Sequence, residues 1–486
     1  MRPNFRRRRR RAVGPPPATR CRSGGDGRLL AAVRRFGRGR AAGRGCPVAL
    51  TGPVVVALIA AIRLAGIPLS AGLAVTGAAI LFAYEGGVSP VVDAAVATFG
   101  QPQLIAIPLF LFMGKVMTRV GIVDDLFDVA RTLCGHVRGG LGVATVLSSI
   151  LFAVVSGSSL ATVVSVGARA IPAMAAAGYA RRHVAGLVAA GGALAVLTPP
   201  SVPLMLYAVA AHVSMGALFL AALVPGIVLG LLFAISAILD VGHPGHERAP
   251  FAGWHSIGAA LARSFAVLLL PPLILGGLYF GLVTNVEAAA TGAVYALAVA
   301  LLAPRRVSVA DVGEAGLDAL KTTIPVAALI LGAGIFAAAV AAIGLPAHLA
   351  AITQGWGAPA VVLAALAVAF LAAMVVDNAV VVLVITPLVL PALTGLGVDL
   401  LWYGVLLTLM LGLATITPPF GLTLFVVRGI ANLPHREVGR GAWPFVILLL
   451  AAIALVLLVP HLATMVPQSS GLPVEAVPVS IPAGAL

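Results

Sequence analysis

The sequence predicts an all-α polytopic membrane protein made of two repeats, each with a re-entrant helical hairpin and a broken helix. Three observations support this fold class. The chain of 486 residues is 60% hydrophobic and only 10% charged, whereas soluble domains contain about 25% charged residues. Several apolar runs exceed the roughly 18 residues that mark a transmembrane helix. Polar breaks interrupt these runs and recur at a constant offset.

The two ends of the chain are predicted to be tails. Residues 1–50 carry most of the excess positive charge and are rich in Arg, Gly and Pro, so we expect disorder. The positive-inside rule places this tail in the cytoplasm. An over-extended reading frame, or a solvated tail touching anionic membrane lipid, explains it better than an RNA-binding arm, and no nucleic-acid partner is expected. Residues 466–486 form a Pro-rich second tail, which leaves 51–465 as the membrane domain.

The membrane domain has room for roughly ten to thirteen spans. Residues 104–117 begin a helix, and residues 118–138 alternate Arg with Asp, as in an interfacial amphipathic helix. A polar interlude at residues 240–263 divides the domain near its middle. These features predict a multi-pass membrane protein.

An internal repeat organises the domain. A shift of 219 residues superimposes Thr198-Pro199-Pro200 on Thr417-Pro418-Pro419. The same shift places Pro172 on Pro391, and it places Ser158-Ser159 on Asp377-Asn378. We therefore predict one repeat core at about 104–235 and a second at about 323–460. Such repeats in transporters are often inverted, and we expect inversion here.

The polar breaks have a physical interpretation. Interrupted helices are tolerated in a membrane only where protein or a water-filled cavity surrounds them, so the segments at 156–159 and 377–378 predict two hairpin tips. Proline lacks an N–H, so each Thr-Pro-Pro must unwind its helix and free carbonyls, from about Leu194 to Val196 in the first repeat. Such carbonyls and nearby hydroxyls suit a small hard cation such as Na⁺, and half-helix N-termini suit an anion.

Alternative interpretations exist for the single residues. The tip serines could be small residues that pack helices together. Asp377 is an ionisable residue in an apolar run, which indicates function, but it could also cap a hairpin helix. Arg169 could bind a substrate carboxylate or extend to the membrane interface.

The sequence offers little support for an enzyme. Cys21, Cys46 and Cys134 are far apart, the nine histidines are scattered, and no GxSxG or HExxH motif occurs. We therefore expect no catalytic residues, no bound metal site and no cofactor, with Na⁺ as a coupling ion only. A polytopic membrane enzyme remains the less favoured alternative class.

The chain resembles the large membrane subunit of TRAP transporters (tripartite ATP-independent periplasmic transporters, DctM type) from about residue 61 to 460. The segments that carry the resemblance are IPLFLFMGKVM (107–117), VRGGLGVATVLSSILFAVVSGSSLATVVSVGARAIPAMAAAGY (137–179), LTPPSVPLMLYAV (197–209), SMGALFLAALVPGIVLG (214–230), TNVEAAATGAVYAL (284–297), ITPLVLPALTGLGVD (385–399) and LATITPPFGLTLFVVRGIA (413–431). Another two-hairpin elevator family, of the citrate or arsenite type, is the alternative within transport. The resemblance implies an elevator-type, Na⁺-driven importer of organic anions such as C4-dicarboxylates. It also implies a location in the bacterial inner membrane and two partners, a small DctQ-type membrane subunit and a periplasmic substrate-binding protein.

The resemblance assigns candidate residues motif by motif. The first Na⁺ site would comprise Ser156, Gly157, Ser158, Ser159, Ala195, Thr198 and Pro199. The second would comprise Gly332, Asp377, Asn378, Thr415, Thr417 and Pro418. Substrate candidates are Ser158, Ser159, Asn378 and Arg169. The sequence departs from the family pattern at three positions, which are Lys115 in place of Glu, Asn378 in place of Pro, and Arg169 in place of an apolar residue.

Overall fold

The computed structural model describes residue 66 and residues 68–239, 250–302 and 307–470. Every regular element in those ranges is a helix, which confirms the all-α prediction. The predicted tail at residues 1–50 lies outside the described residues, as do residues 471–486 of the second tail. The last described helix ends at Ser469, a few residues beyond the predicted end of the membrane domain.

Twenty α-helices follow one another in the described part of the chain. The helices before and within the first repeat are α1 (Leu69–Glu85), α2 (Ser89–Phe99), α3 (Ala106–Arg119), α4 (Ile122–Cys134), α5 (Gly140–Ser156), α6 (Ser159–Ala176), α7 (Arg181–Leu197), α8 (Val202–Ala211) and α9 (Met215–Leu239). The connecting helices are α10 (Trp254–Leu268), α11 (Leu270–Tyr279) and α12 (Asn285–Leu302). The second repeat comprises α13 (Val309–Ala342), α14 (Leu345–Thr353), α15 (Ala358–Ala373), α16 (Asn378–Gly395), α17 (Leu400–Ile416), α18 (Leu422–Ala431) and α19 (His435–Leu458), and α20 (His461–Ser469) follows it.

The helix boundaries confirm the internal repeat. A shift of 219 residues carries both ends of α6 onto both ends of α16, and both ends of α7 onto both ends of α17. The turn after each hairpin contains a glycine with positive φ, Gly178 in the first repeat and Gly397 in the second. Only glycine adopts this conformation at low cost, so the same turn chemistry recurs at equivalent positions.

Each hairpin is a pair of half-helices whose tip lies at the predicted break. In the first hairpin, the Thr145 hydroxyl near the start of α5 lies 3.4 Å from the Met174 sulfur near the end of α6. The chain therefore returns at Gly157, whose φ is +60°. The second hairpin turns at residues 374–377, between α15 and α16.

The two repeats run in opposite directions. The start of α7 lies beside the start of α19, where the Arg182 carbonyl leaves no room for a side chain on Gly441. The start of α17 lies beside the end of α8, where the Tyr207 hydroxyl donates to the Leu400 carbonyl at 2.7 Å. Equivalent helices thus begin at opposite ends of the molecule, which we call the arginine end and the tyrosine end. This arrangement confirms the expected inversion.

The helices α7 and α17 cross at equivalent residues. Gly412 is the counterpart of Ala193 under the 219-residue shift, and a Cβ on Gly412 would lie 3.1 Å from the Ala193 carbonyl oxygen. A contact between two symmetry-related positions places the pseudo-twofold axis at this crossing. Both Thr-Pro-Pro breaks follow the crossing by about one helical turn.

The span count is lower than the sequence suggests. Seven helices in the described ranges are long and apolar enough to cross a membrane, or up to nine if each strongly bent pair counts as one span. Five further apolar helices have only 10–17 residues. The expected ten to thirteen spans included such half-length helices, as well as residues before Leu69 that are mostly outside the described part.

Candidate ion and substrate site

The first hairpin tip is held together by its own hydroxyl groups. The Ser158 side chain caps α6 by accepting from the Ala161 N–H at 3.3 Å. The Thr162 hydroxyl donates to the Ser158 carbonyl at 2.9 Å, and the Ser156 hydroxyl lies 3.4 Å from that of Thr162. The predicted tip residues therefore converge, with Gly157 buried and Ser156, Ser158 and Ser159 half-buried.

The second hairpin tip has an equivalent cap with a different side chain. Asp377 precedes α16 and accepts from the Ala379 N–H at 2.9 Å. The shift that maps Ser158 onto Asp377 therefore maps one N-cap onto another, and Asn378, like Ser159, is the first residue of its helix. Asp377 does cap a hairpin helix, as the alternative interpretation had it. Its carboxylate is exposed, so a second oxygen remains available to a ligand.

The prolines of the first Thr-Pro-Pro break remove the helical donors of two carbonyls, and only one of the two gains a substitute donor. Pro199 and Pro200 have no N–H, so the carbonyls of Ala195 and Val196 lose their helical bonds. The Val196 carbonyl instead accepts from the Ser201 hydroxyl. Thr198 donates to the Leu194 carbonyl through its backbone N–H at 3.0 Å and through its hydroxyl at 2.8 Å.

This arrangement corrects the expectation that the carbonyls from Leu194 to Val196 are all free. Hydroxyl groups at the break satisfy two of them, since a buried carbonyl needs a hydrogen-bond donor. Of these three carbonyls, that of Ala195, a fully buried residue, is the one that accepts no hydrogen bond.

The second break repeats this pattern. The Thr417 hydroxyl donates to the Leu413 carbonyl at 2.6 Å, as Thr198 does to Leu194. The Thr423 hydroxyl donates to the Thr415 carbonyl at 2.7 Å, which corresponds to the bond between Ser201 and Val196. Pro418 removes the donor of the Ala414 carbonyl, so Ala414 is the counterpart of Ala195. The sequence assignment of the second site omitted Ala414, although the repeat aligns it with Ala195.

The first hairpin tip and the first break lie in contact. The Val202 N–H donates to the Gly157 carbonyl at 3.4 Å, and a Cβ on Gly157 would lie 2.7 Å from the Pro200 carbonyl oxygen. The structure therefore brings together the residues assigned to the first site. The close approach requires glycine, because any side chain would collide with a backbone atom.

Two neighbouring segments complete the surroundings of the first tip. A Cβ on Gly114 of α3 would lie 2.7 Å from the Val155 carbonyl oxygen just before the tip. A Cβ on Gly192 of α7 would lie 3.0 Å from a methyl group of Thr423, which belongs to the second repeat. Sequence reasoning missed both glycines, because their contacts join segments that are distant along the chain.

Two further assigned residues have identified contacts with other helices. Gly332 is in the middle of α13, where its Cα faces the Ser70 carbonyl of α1. Arg169 forms an ion pair with Asp124 of the amphipathic helix α4 at 2.5 Å, and both side chains are more than half exposed. Gly332 therefore has a packing contact and Arg169 a surface ion pair, and their assignments to the second ion site and to the substrate stay predictions.

A surface pocket lies next to the second break at the arginine end. Its volume is about 630 Å³, and its walls include Phe425, Arg428 and Asn432. Arg428 forms no ion pair with any described residue. The pocket therefore presents a free guanidinium group between an aromatic ring and an amide. In the described part of the chain, no cluster of His, Cys, Asp and Glu could hold a metal ion.

Comparison with known proteins identifies the family. The model of the tripartite ATP-independent periplasmic transporter, DctM component, matches residues 55–462. The chain belongs to the DctM family of TRAP transporter large permease subunits. It is thus an inner-membrane transport subunit and not an enzyme. The DctM match also decides against the alternative assignment to a citrate- or arsenite-type elevator family.

Individual DctM relatives and one solved structure agree with this assignment. The chain is 32% identical to the ectoine TRAP transporter large permease protein TeaC of Halomonas elongata, over 84% of this chain and 97% of the relative. It is 35% identical to the C4-dicarboxylate TRAP transporter large permease protein DctM of Pseudomonas aeruginosa, over 76% of this chain and 87% of the relative. The fold is similar to that of the YdaH transporter of Alcanivorax borkumensis, with a TM-score of 0.52, 16% identity, and coverage of 76% of this chain and 86% of that chain.

Proposed function

We propose that this TRAP large permease subunit imports an organic acid anion by Na⁺ symport, together with a small membrane subunit and a periplasmic substrate-binding protein. The observation that carries the proposal is the pair of equivalent unwound joints. In each joint a carbonyl, that of Ala195 or Ala414, has lost its helical donor to a proline and has no hydroxyl donor in its place. Backbone carbonyls with nearby hydroxyls are the ligands that a hard cation prefers. Two such joints on either side of a pseudo-twofold axis form the arrangement of an ion-coupled transporter.

An anionic substrate fits the charge distribution around the tips. The hairpin tips are the N-termini of α6 and α16, which carry a positive partial charge. Ectoine and C4-dicarboxylates, named for the two relatives, are compounds with a carboxylate group. The proposed class is therefore carboxylates, with Ser158, Ser159 and Asn378 at the tips as candidate contacts.

The orientation follows from the distribution of basic residues. Arg138, Arg181, Arg182, Arg436 and Arg440 all lie at the arginine end, next to the starts of α5, α7 and α19. The loops at the tyrosine end, residues 212–214, 396–399 and 459–460, contain no Lys or Arg. By the positive-inside rule the arginine end faces the cytoplasm, and the binding protein would dock at the tyrosine end.

Reconstitution tests the proposal. The subunit, its small membrane partner and its binding protein are placed in liposomes, and uptake of radiolabelled carboxylates is measured with and without an inward Na⁺ gradient. We expect uptake that requires both the gradient and the binding protein. Uptake that is the same without Na⁺, or without the binding protein, would contradict the proposal.

A further inference from the structure

The two breaks differ in the group that contacts the carbonyl of their second proline. In the first repeat, the Pro200 carbonyl faces the hairpin tip at Gly157, which has a positive φ and no side chain. The first hairpin is thus seated directly on its own break. The equivalent residues in the second repeat are Pro419 and Val376.

In the second repeat, a histidine side chain contacts the equivalent carbonyl, that of Pro419. The His435 Nε2 lies 2.9 Å from the Pro419 carbonyl oxygen. Since a carbonyl can only accept, Nε2 carries the proton and donates. The imidazole is stacked on the Phe425 ring, with centroids 4.5 Å apart and planes inclined by 20°. The histidine therefore holds a fixed orientation between the start of α19 and the break.

The second hairpin lacks the backbone contact with its break that the first hairpin makes. Val376 has a Cβ where Gly157 has none, and the non-glycine residues with positive φ in the described ranges are His212 and Asn432 only. No hydrogen bond among the described residues joins 374–378 to 417–421. Pro419 and Phe420 are accordingly exposed, whereas Pro199 and Pro200 are buried.

We propose that His435 is a positioning residue of the second ion site and takes over the role that the hairpin backbone has in the first. Its N–H fixes the Pro419 peptide, and a neighbouring contact supports the same segment, since a Cβ on Gly439 would lie 3.1 Å from the Pro418 ring. These two contacts from the start of α19 hold the unwound stretch that follows Ala414 on its cytoplasmic side. The second hairpin tip at Asp377 does not contribute to this and stays exposed. This inference rests on the proposed Na⁺ coupling.

The test uses the purified subunit in detergent and needs no substrate. A ligand that binds only the folded protein raises Tm in proportion to the logarithm of its concentration above Kd, so the Na⁺ concentration at which Tm begins to rise reports the sites. Choline chloride keeps the ionic strength constant. His435→Phe keeps the stacking on Phe425 but removes the donor, and His435→Gln restores an N–H donor.

We expect His435→Phe to shift the Na⁺ dependence to about five- to tenfold higher concentration, as for the loss of one hydrogen bond. His435→Gln should recover most of this loss, which a purely structural role of the ring would not produce. His461→Phe, at the start of α20 and remote from both breaks, is the matched control and should behave like the wild type. A wild-type Na⁺ response that His435→Phe leaves unchanged would overturn the inference alone, whereas a wild type with no Na⁺ response would overturn the proposed coupling as well.

Discussion

At the scale of single residues, Asp377 has two separable properties. Its side chain caps α16, and its charge lies at a hairpin tip close to an apolar run. Asparagine is as good an N-cap as aspartate, so Asp377→Asn removes the charge while it keeps the cap. We expect this variant to raise the Na⁺ concentration for half-maximal uptake about tenfold, because the carboxylate contributes to the second ion site.

The matched control is Asp399→Asn. Asp399 caps α17 of the same repeat by accepting from the Leu401 N–H at 2.7 Å, but it lies at the tyrosine end, far from the break. Its replacement should leave the Na⁺ dependence unchanged. If Asp377→Asn also matched the wild type, Asp377 would be a helix cap and nothing more.

Gly157 is the residue on which the first site depends most strongly for its shape. Gly157→Ala combines an unfavourable positive φ with a collision against the Pro200 carbonyl. Gly344→Ala isolates the first of these effects, because Gly344 has φ +77° and no neighbour within 4 Å of a Cβ. We expect Gly344→Ala to cost about 1 kcal/mol of stability and Gly157→Ala roughly 3 kcal/mol.

Thermal unfolding of the purified variants measures this difference, and Na⁺-driven uptake shows its consequence. Gly157→Ala should lose most of its uptake, while Gly344→Ala keeps it. Equal losses of Tm in the two variants would mean that the hairpin tip does not approach the break as closely as described.

At the scale of secondary structure elements, the pairing of α6 with α4 offers a test of Arg169. The ion pair with Asp124 is exposed, and exposed pairs contribute about 0–1 kcal/mol. We therefore expect Arg169→Gln to change the KM for the carboxylate by less than about threefold. The double change Arg169→Asp with Asp124→Arg should restore any loss. A KM that rises tenfold or more in Arg169→Gln, and that the charge swap does not restore, would make Arg169 a substrate residue.

The elements also show how far the sequence could predict this molecule. The offset of 219 residues predicted where the two hairpin tips lie, because helix breaks at capping residues and diprolines are local and repeat with the chain. The partners of the breaks were not predictable in the same way. Ser201, Thr423 and His435 satisfy carbonyls through contacts that depend on how the unwound chain turns, and no periodic pattern in the sequence reports this.

The expectation that the carbonyls from Leu194 to Val196 are all free was wrong for the same reason. Counting prolines shows which carbonyls lose a helical donor, but it does not show which of them a nearby hydroxyl then satisfies. The repeat aligns Ala195 with Ala414, but only the bonds to Val196 and Thr415 show that these two carbonyls are the ones left without a substitute donor.

At the scale of the whole molecule, the inverted repeats and the arginine end define an orientation. Single cysteines introduced at Arg436 and at Thr394, in a background with Cys134 and the two tail cysteines replaced by serine, would sit at opposite ends. A membrane-impermeant thiol reagent added to intact cells should label Thr394→Cys, and Arg436→Cys should react only after the cells are opened. The reverse pattern would place the arginine end in the periplasm and contradict the orientation.

The central claim is that each repeat holds one coupling cation at its unwound joint. Parallel measurement of ²²Na⁺ and carboxylate fluxes into liposomes that contain the complete transporter tests this claim most directly. Two equivalent joints predict that at least two Na⁺ ions enter with each carboxylate, and that Asp377→Asn lowers this ratio. A ratio of one or less in the wild type would contradict the account, because one of the two joints would then carry no ion.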